Sequence, residues 1–263
     1  AVPELQGPPV DPRWAARRLS ASALRGGYVP RALHDYTDRD GSVLYWRIRL
    51  KHPDTGEKWV RPMRRQGIDY ALGEPDLPNG KPLYRMDVIA QSDTASPIWF
   101  AEGELKADAL IKLGTPATTS GSATSDDKAD FDPLLGRHVN LWPDNDTPGR
   151  EHMQRVAVKL QAMGCTVQTV DIDALALPEH GDVIDYLAAH PGTTPADLMA
   201  LPMTEKSAAI HASAGGSART DGSPIALPDE LLAVEPFPVA ALPDSARPWC
   251  IDVATSMRWP PEA

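Results

Sequence analysis

AEGELKADAL, from Ala101 to Leu110, and LWPDNDTPGR, from Leu141 to Arg150, decide how this chain reads. In each, an apolar run of strand length ends in carboxylates, and a helical pattern begins directly afterwards. That spacing predicts Glu102, Asp144 and Asp146 at the carboxyl ends of neighbouring strands, the edge where ligands bind in an open α/β sheet. Three carboxylates converging there repel one another unless a cation lies between them. Oxygen donors with no Cys or His partner favour a hard ion such as Mg²⁺, with Mn²⁺ as an alternative. Each acid also has a plainer use. Glu102 complements a helix dipole, and Asp144 and Asp146 serve as turn and capping residues ahead of Pro148 and Gly149.

Working outward, strand and helix patterns alternate from Ser96 to about Pro202. Strands are predicted at Ile98 to Ala101, Pro116 to Thr119, Val139 to Pro143 and Val167 to Asp171. The predicted helices are Leu105 to Leu113, Pro148 to Met163, Val183 to Ala189 and a short one from Pro195 to Leu201. Met153, Val156, Ala157, Leu160 and Met163 keep helical spacing, and Gly164 closes that helix. Such alternation means an α/β fold with a mostly parallel sheet covered by helices.

Upstream the pattern changes. Residues 1–27 are rich in Pro, Ala and Gly and read as an arm or lead-in with one short helix around Trp14 to Leu24. Residues 28–95 form a small β-rich subdomain. In it, Leu44, Trp46, Ile48 and Leu50 alternate, and turns at Asp38 to Gly41 and Pro53 to Gly56 frame a basic hairpin ending in KWVRPMRR. Tyr45, Trp46 and Trp59 are candidates for stacking on bases, although alternation puts at least one of them in the core. Residues 203–235 turn to Ser, Ala, Gly and Thr, the composition of a flexible linker. Residues 236–263 regain Trp and Leu and read as the start of a further domain.

The formal net charge of −10 argues at first against a nucleic-acid partner. The charge is uneven, however: residues 1–90 carry 15 Lys and Arg against 11 Asp and Glu, and the rest carry 11 against 25. The mildly basic first part leaves room for phosphate contacts. Two cysteines, Cys165 and Cys250, are too few for a disulfide framework or a four-ligand zinc site, so a cytoplasmic location is expected. No apolar stretch is long enough to span a bilayer, and no P-loop occurs.

The two motifs, their order and the fold predicted between them resemble the TOPRIM domain of bacterial primases, topoisomerases and related nucleases, over about Ser96 to Leu201. The resemblance implies Glu102 as acid/base or metal ligand, and Asp144 and Asp146 as Mg²⁺ ligands. A later acid completes the site in that family. HGDVIDYLAAH offers Asp182 and Asp185, with Asp182 preferred because it follows Gly181 in a loop. One departure stands out: where primases have an Asp four residues after the Glu, this chain has Lys106, with Asp108 two residues further on. That variant is similar to TOPRIM proteins of phages and mobile elements. The loop Ala117 to Ser125 resembles the family segment whose small residues allow close phosphate approach, and it equally reads as a plain surface loop.

KPLYRMDVI, Lys81 to Ile89, resembles the segment that introduces TOPRIM in primases, where a Lys faces the cleft. Lys81, Arg61, Arg64, Arg65 and Lys106 are therefore candidates for nucleic-acid or nucleotide binding. The tail resembles the opening of a helicase-like domain. Together these imply a Mg²⁺-dependent primase-like nucleotidyltransferase acting on single-stranded DNA with nucleoside triphosphates, and a helicase domain as a further partner. The alternatives are a TOPRIM nuclease and a non-catalytic DNA-binding or loading module.

Overall fold

The computed structural model describes residues 10–77, 80–122 and 126–204. The chain divides into Ala1–His211 and Ala212–Ala263, and every described residue belongs to the first unit. The expected linker beyond Thr204 and the helicase-like start at 236–263 lie outside the described residues.

The residues expected to form a lead-in make two helices, α1 (Pro12–Leu19) and α2 (Ala21–Arg25). Asp11 caps α1 by accepting from the Arg13 N–H, and Pro12 sits at the first turn, where its missing N–H costs nothing. Four strands follow: β1 (Val29–Thr37), β2 (Val43–Lys51), β3 (Lys58–Gln66) and β4 (Asp69–Leu72), paired in order as an antiparallel meander. The expected hairpin is thus the middle of a larger sheet. Trp46, Ile48, Leu50, Met63 and Tyr70 pack with Ala15 and Ala16 of α1 on one face. Tyr36 and Tyr45 stack with ring centroids 4.4 Å apart and join a separate core with Trp99 and Trp142. Period-two alternation therefore buries both faces of β2.

The KPLY segment lies across the junction. β5 (Lys81–Pro82) pairs in parallel with β8 (Ala129–Asp130), and α3 (Met86–Gln91) follows. The second sheet has the order β11-β10-β9-β6-β7, made of β6 (Ile98–Ala101), β7 (Ala117–Thr118), β9 (His138–Trp142), β10 (Thr166–Val170) and β11 (Met203–Thr204). All neighbours pair in parallel except β10 and β11. The helices are α4 (Glu104–Lys112), α5 (Thr147–Ala162), α6 (Val183–Ala189) and α7 (Pro195–Met199). Trp99, Ala101 and Trp142 share a core with residues of α4, α6 and α7; Ile98, Phe100 and Leu141 share another with Met153, Val156 and Leu160 of α5. Helices on both faces explain why these strands read as continuous apolar runs. No helix among the described residues is long and apolar enough to cross a membrane.

Candidate functional site

Strand order identifies the edge at which a candidate site belongs. From β6 the chain runs through α4 to β7 on one side, whereas from β9 it runs through α5 to β10 on the other. The crevice beyond the carboxyl ends of β6 and β9 is the topological switch point, where open α/β sheets take their ligands. Glu102 follows the last residue of β6, and Asp144 lies two residues past β9. Two glycines make the turns there. Gly103 has φ +86 and donates its N–H to Thr119 Oγ1 at 3.0 Å, tying the start of α4 to the loop after β7. A Cβ at Gly149 would come within 2.8 Å of Asp144 Cβ and 3.1 Å of the Asp144 nitrogen, so only glycine lets α5 start this close to Asp144.

Three of the predicted site residues meet. The Lys106 ammonium, in the first turn of α4, donates to Asp144 Oδ2 and lies 3.3 Å from Asp182 Oδ2. All three side chains are 15–18% exposed. Burial pushes the Asp144 carboxyl up to about 6; Lys106 pulls it down, while Glu102 and Asp182 push it further up. Asp144 Oδ1 is buried without a hydrogen-bond partner. Asp182 also caps α6, accepting from the Ile184 N–H at 2.7 Å, and Asp185 completes that capping box. Asp185 thus has the structural use its helical position suggests.

Asp146 stands apart. Its Oδ1 accepts from the Gly149 N–H at 2.7 Å as the cap of α5, and its Oδ2 faces His180 Nδ1 at 3.0 Å. The His180 contact, followed by the Gly149 N–H, holds its carboxyl below the usual range. Among the described residues, no group of three or more His, Cys, Asp or Glu is gathered to hold a metal ion. The donor chemistry at Asp144 and Asp182 nonetheless fits a hard divalent cation. Both offer carboxylate oxygens, Glu102 is close enough to raise the Asp144 pKa, and the orphaned Asp144 Oδ1 has a free lone pair. The positive charge between them is Lys106.

The four upstream basic residues do not share one surface. Along β3, Arg61 and Arg65 alternate with Arg64, which places them on opposite faces. Arg64 donates to the Glu74 carbonyl at 3.1 Å, Lys81 pairs with the Glu74 carboxylate at 2.5 Å, and Arg47 approaches the same carboxylate at 3.9 Å. Arg61 and Arg65 remain exposed, with the Arg61 guanidinium over the Trp59 ring. Of the three aromatic candidates, Tyr45 and Trp46 are buried and unavailable for stacking, and Trp59 is half-buried.

Sequence reasoning did not single out Glu104. It is 3% exposed and accepts from Tyr36 Oη at 2.8 Å and Arg47 Nη1 at 2.6 Å, joining the meander to α4. Burial would raise its carboxyl, but Arg47, His34 and the hydrogen bonds outweigh this and hold it below the usual range. His152 is fully buried on α5 and lies 3.4 Å from Asp126 Oδ1. Burial lowers its pKa, against the opposing pull of Asp126.

No family model matches the chain, and no curated protein does. Among solved structures, the chain is similar to the zinc-binding and RNA polymerase domains of the Aquifex aeolicus primase, at 15% identity and a TM-score of 0.41 over 70% of this chain and 47% of that one. It is also similar to a DNA primase domain from Pseudomonas aeruginosa, at 16% identity and a TM-score of 0.39 over 66% of this chain and 55% of that one. The chain spans about half the length of these structures.

Proposed function

We propose that the chain carries the catalytic centre of a primase-like nucleotidyltransferase with a TOPRIM-type sheet, copying single-stranded DNA from nucleoside triphosphates. The observation that carries this reading is the meeting of Asp144, Asp182 and Lys106 beside Glu102 at the switch point between β6 and β9. In this reading Asp144 and Asp182 would hold Mg²⁺, with Glu102 beside them, and Asp146 would have to leave His180 to join. A bound divalent ion would supply Lewis-acid neutralisation of the triphosphate. Glu102 has no side-chain hydrogen bond among the described residues and would take up the proton of the attacking hydroxyl. Lys106, freed from Asp144, would bind a phosphate oxygen.

The test is incubation with single-stranded DNA, labelled ribonucleotides and Mg²⁺, reading new product and template cleavage together. Primers with an intact template support the proposal. Cleavage without synthesis transfers the same carboxylates to a nuclease. One observation favours a second reading: Lys106 already neutralises Asp144 and Asp182, as it would in a DNA-binding module that needs no ion. Binding of the strand with neither reaction would select that reading.

A further inference from the structure

Away from the carboxylate edge, a cavity of about 250 Å³ opens between α1 and the first two strands. Its apolar lining includes Ala16, Ala32, Leu33, Ile48 and Leu50, and the charged part is Arg13, Arg17 and Arg31. The local sequence builds it. Arg13, Ala16, Arg17 and Ser20 lie at positions i, i+3, i+4 and i+7 of one helix face, so two guanidinium groups rise one turn apart beside small residues that leave a hollow. On the opposite wall the β1–β2 register slips between Pro30 and Ala32, paired with Leu50 and Arg49, which leaves Arg31 as the extra residue of a bulge. A bulge re-aims a side chain at the cost of a ladder pairing.

The three arginines are exposed, and among the described residues none makes an ion pair or a side-chain hydrogen bond. Their neighbour Arg18 behaves in the ordinary way, bound to both Asp69 oxygens at 2.6 and 2.8 Å. Asp35 feels Arg13 electrostatically but forms no ion pair with it. Three unpaired cations around one apolar hollow repel each other, and an anion with an apolar part removes that cost. The volume is below the roughly 300–1,000 Å³ of a drug-sized site, which suits one planar group with its phosphates outside on the arginines.

We propose that this cavity is a second binding site, separate from the carboxylate edge, for a nucleoside phosphate: the base enters the hollow and Arg13, Arg17 and Arg31 hold the phosphates. The ligand is either a free nucleotide or the phosphorylated end of a strand. The site does not depend on the chain being a polymerase, because it is read out by binding alone.

The experiment titrates the chain with a fluorescent ATP analogue, then competes with ATP and with oligothymidylates bearing a 5′-phosphate or a 5′-hydroxyl. Arg31→Gln and the double variant Arg13→Gln/Arg17→Gln should each weaken binding about tenfold or more, as loss of a charge-assisted contact does. Melting temperatures should stay unchanged, since these side chains are exposed and unpaired. Competition by ATP identifies the free nucleotide; competition by the 5′-phosphorylated strand alone identifies the strand end. The proposal is overturned if no nucleoside phosphate binds, if either variant binds like the parent, or if Arg61→Gln/Arg65→Gln weakens ATP binding equally. That last outcome would mean net charge alone is being read.

Discussion

Replacing Lys106 by Met keeps much of the side-chain volume and removes the ammonium that Asp144 and Asp182 share. Breaking a buried pair by deleting one partner costs about 3–5 kcal/mol. Here one carboxylate has an escape. Asp144 is already pushed by burial to about 6 from 3.8, roughly 3 kcal/mol of strain on its charged form. Without Lys106 its pKa rises further, so near neutrality it takes a proton instead. The sign follows from linkage: a carboxyl whose folded pKa is raised carries no penalty below 3.8, a growing one as pH rises through about 6, and the full one above. Lys106→Met should therefore lose about 2–3 kcal/mol at pH 8 and clearly less at pH 5. Urea denaturation at both pH values measures this. A divalent ion in the same place would compete with the ammonium, so Mn²⁺ at pH 8 should raise the melting temperature of the variant more than that of the parent. A stability difference that is flat with pH, together with equal Mn²⁺ responses, would refute both the shared charge and its place between the carboxylates.

Asp144→Asn removes the strained charge while keeping its shape, so it should fold at least as well at pH 7; under the proposed function it should also lose primer synthesis beyond the roughly 10–100-fold of an outer-sphere change. Glu104→Gln leaves Arg47 buried without its counter-charge and should cost about 3–5 kcal/mol in urea denaturation. In the parent, the depressed Glu104 carboxyl contributes stability above about its unfolded value of 4.5 that is lost as pH falls through its lower folded value, and the variant should lack that acid limb. Because β3 puts Arg61 and Arg65 opposite Arg64, Arg61→Gln/Arg65→Gln should lower the salt slope of single-stranded DNA binding by about 1.4, at about 0.7 per phosphate contact, and Arg64→Gln/Lys81→Gln by much less. Equal slopes for the two pairs would place the strand elsewhere.

How much of this was legible beforehand follows from which forces act locally. The four strands and four helices expected between Ile98 and Leu201 are set by apolar runs, proline at helix starts and glycine at helix ends, so their limits lie within two residues of those observed, whereas the two-residue β8, too short for a pattern, was not expected. Residues 12–25 were harder. Their short helices are held by Ala15 and Ala16 packing on Trp46, Ile48 and Leu50, partners that composition cannot supply. The same limit governs the site. Sequence spacing brought Glu102 and Asp144 to one edge, because both follow strands, but it could not distinguish an aspartate that caps a helix from one that faces the crevice. Asp146 and Asp182 both cap, and only Asp182 also turns an oxygen toward Lys106. Lys106 itself stands where the resembled family carries an acid, and its sequence offers it only as a candidate for nucleic-acid or nucleotide binding. In the fold it sits one helical turn past Glu102, which aims it at Asp144 across the gap between β6 and β9. A substitution that reverses charge within a carboxylate cluster changes what the cluster needs from outside. With one cation supplied by the chain, Asp144 and Asp182 are held together without a ligand, and under the proposed function an ion or phosphate binding there would have to displace or use that ammonium.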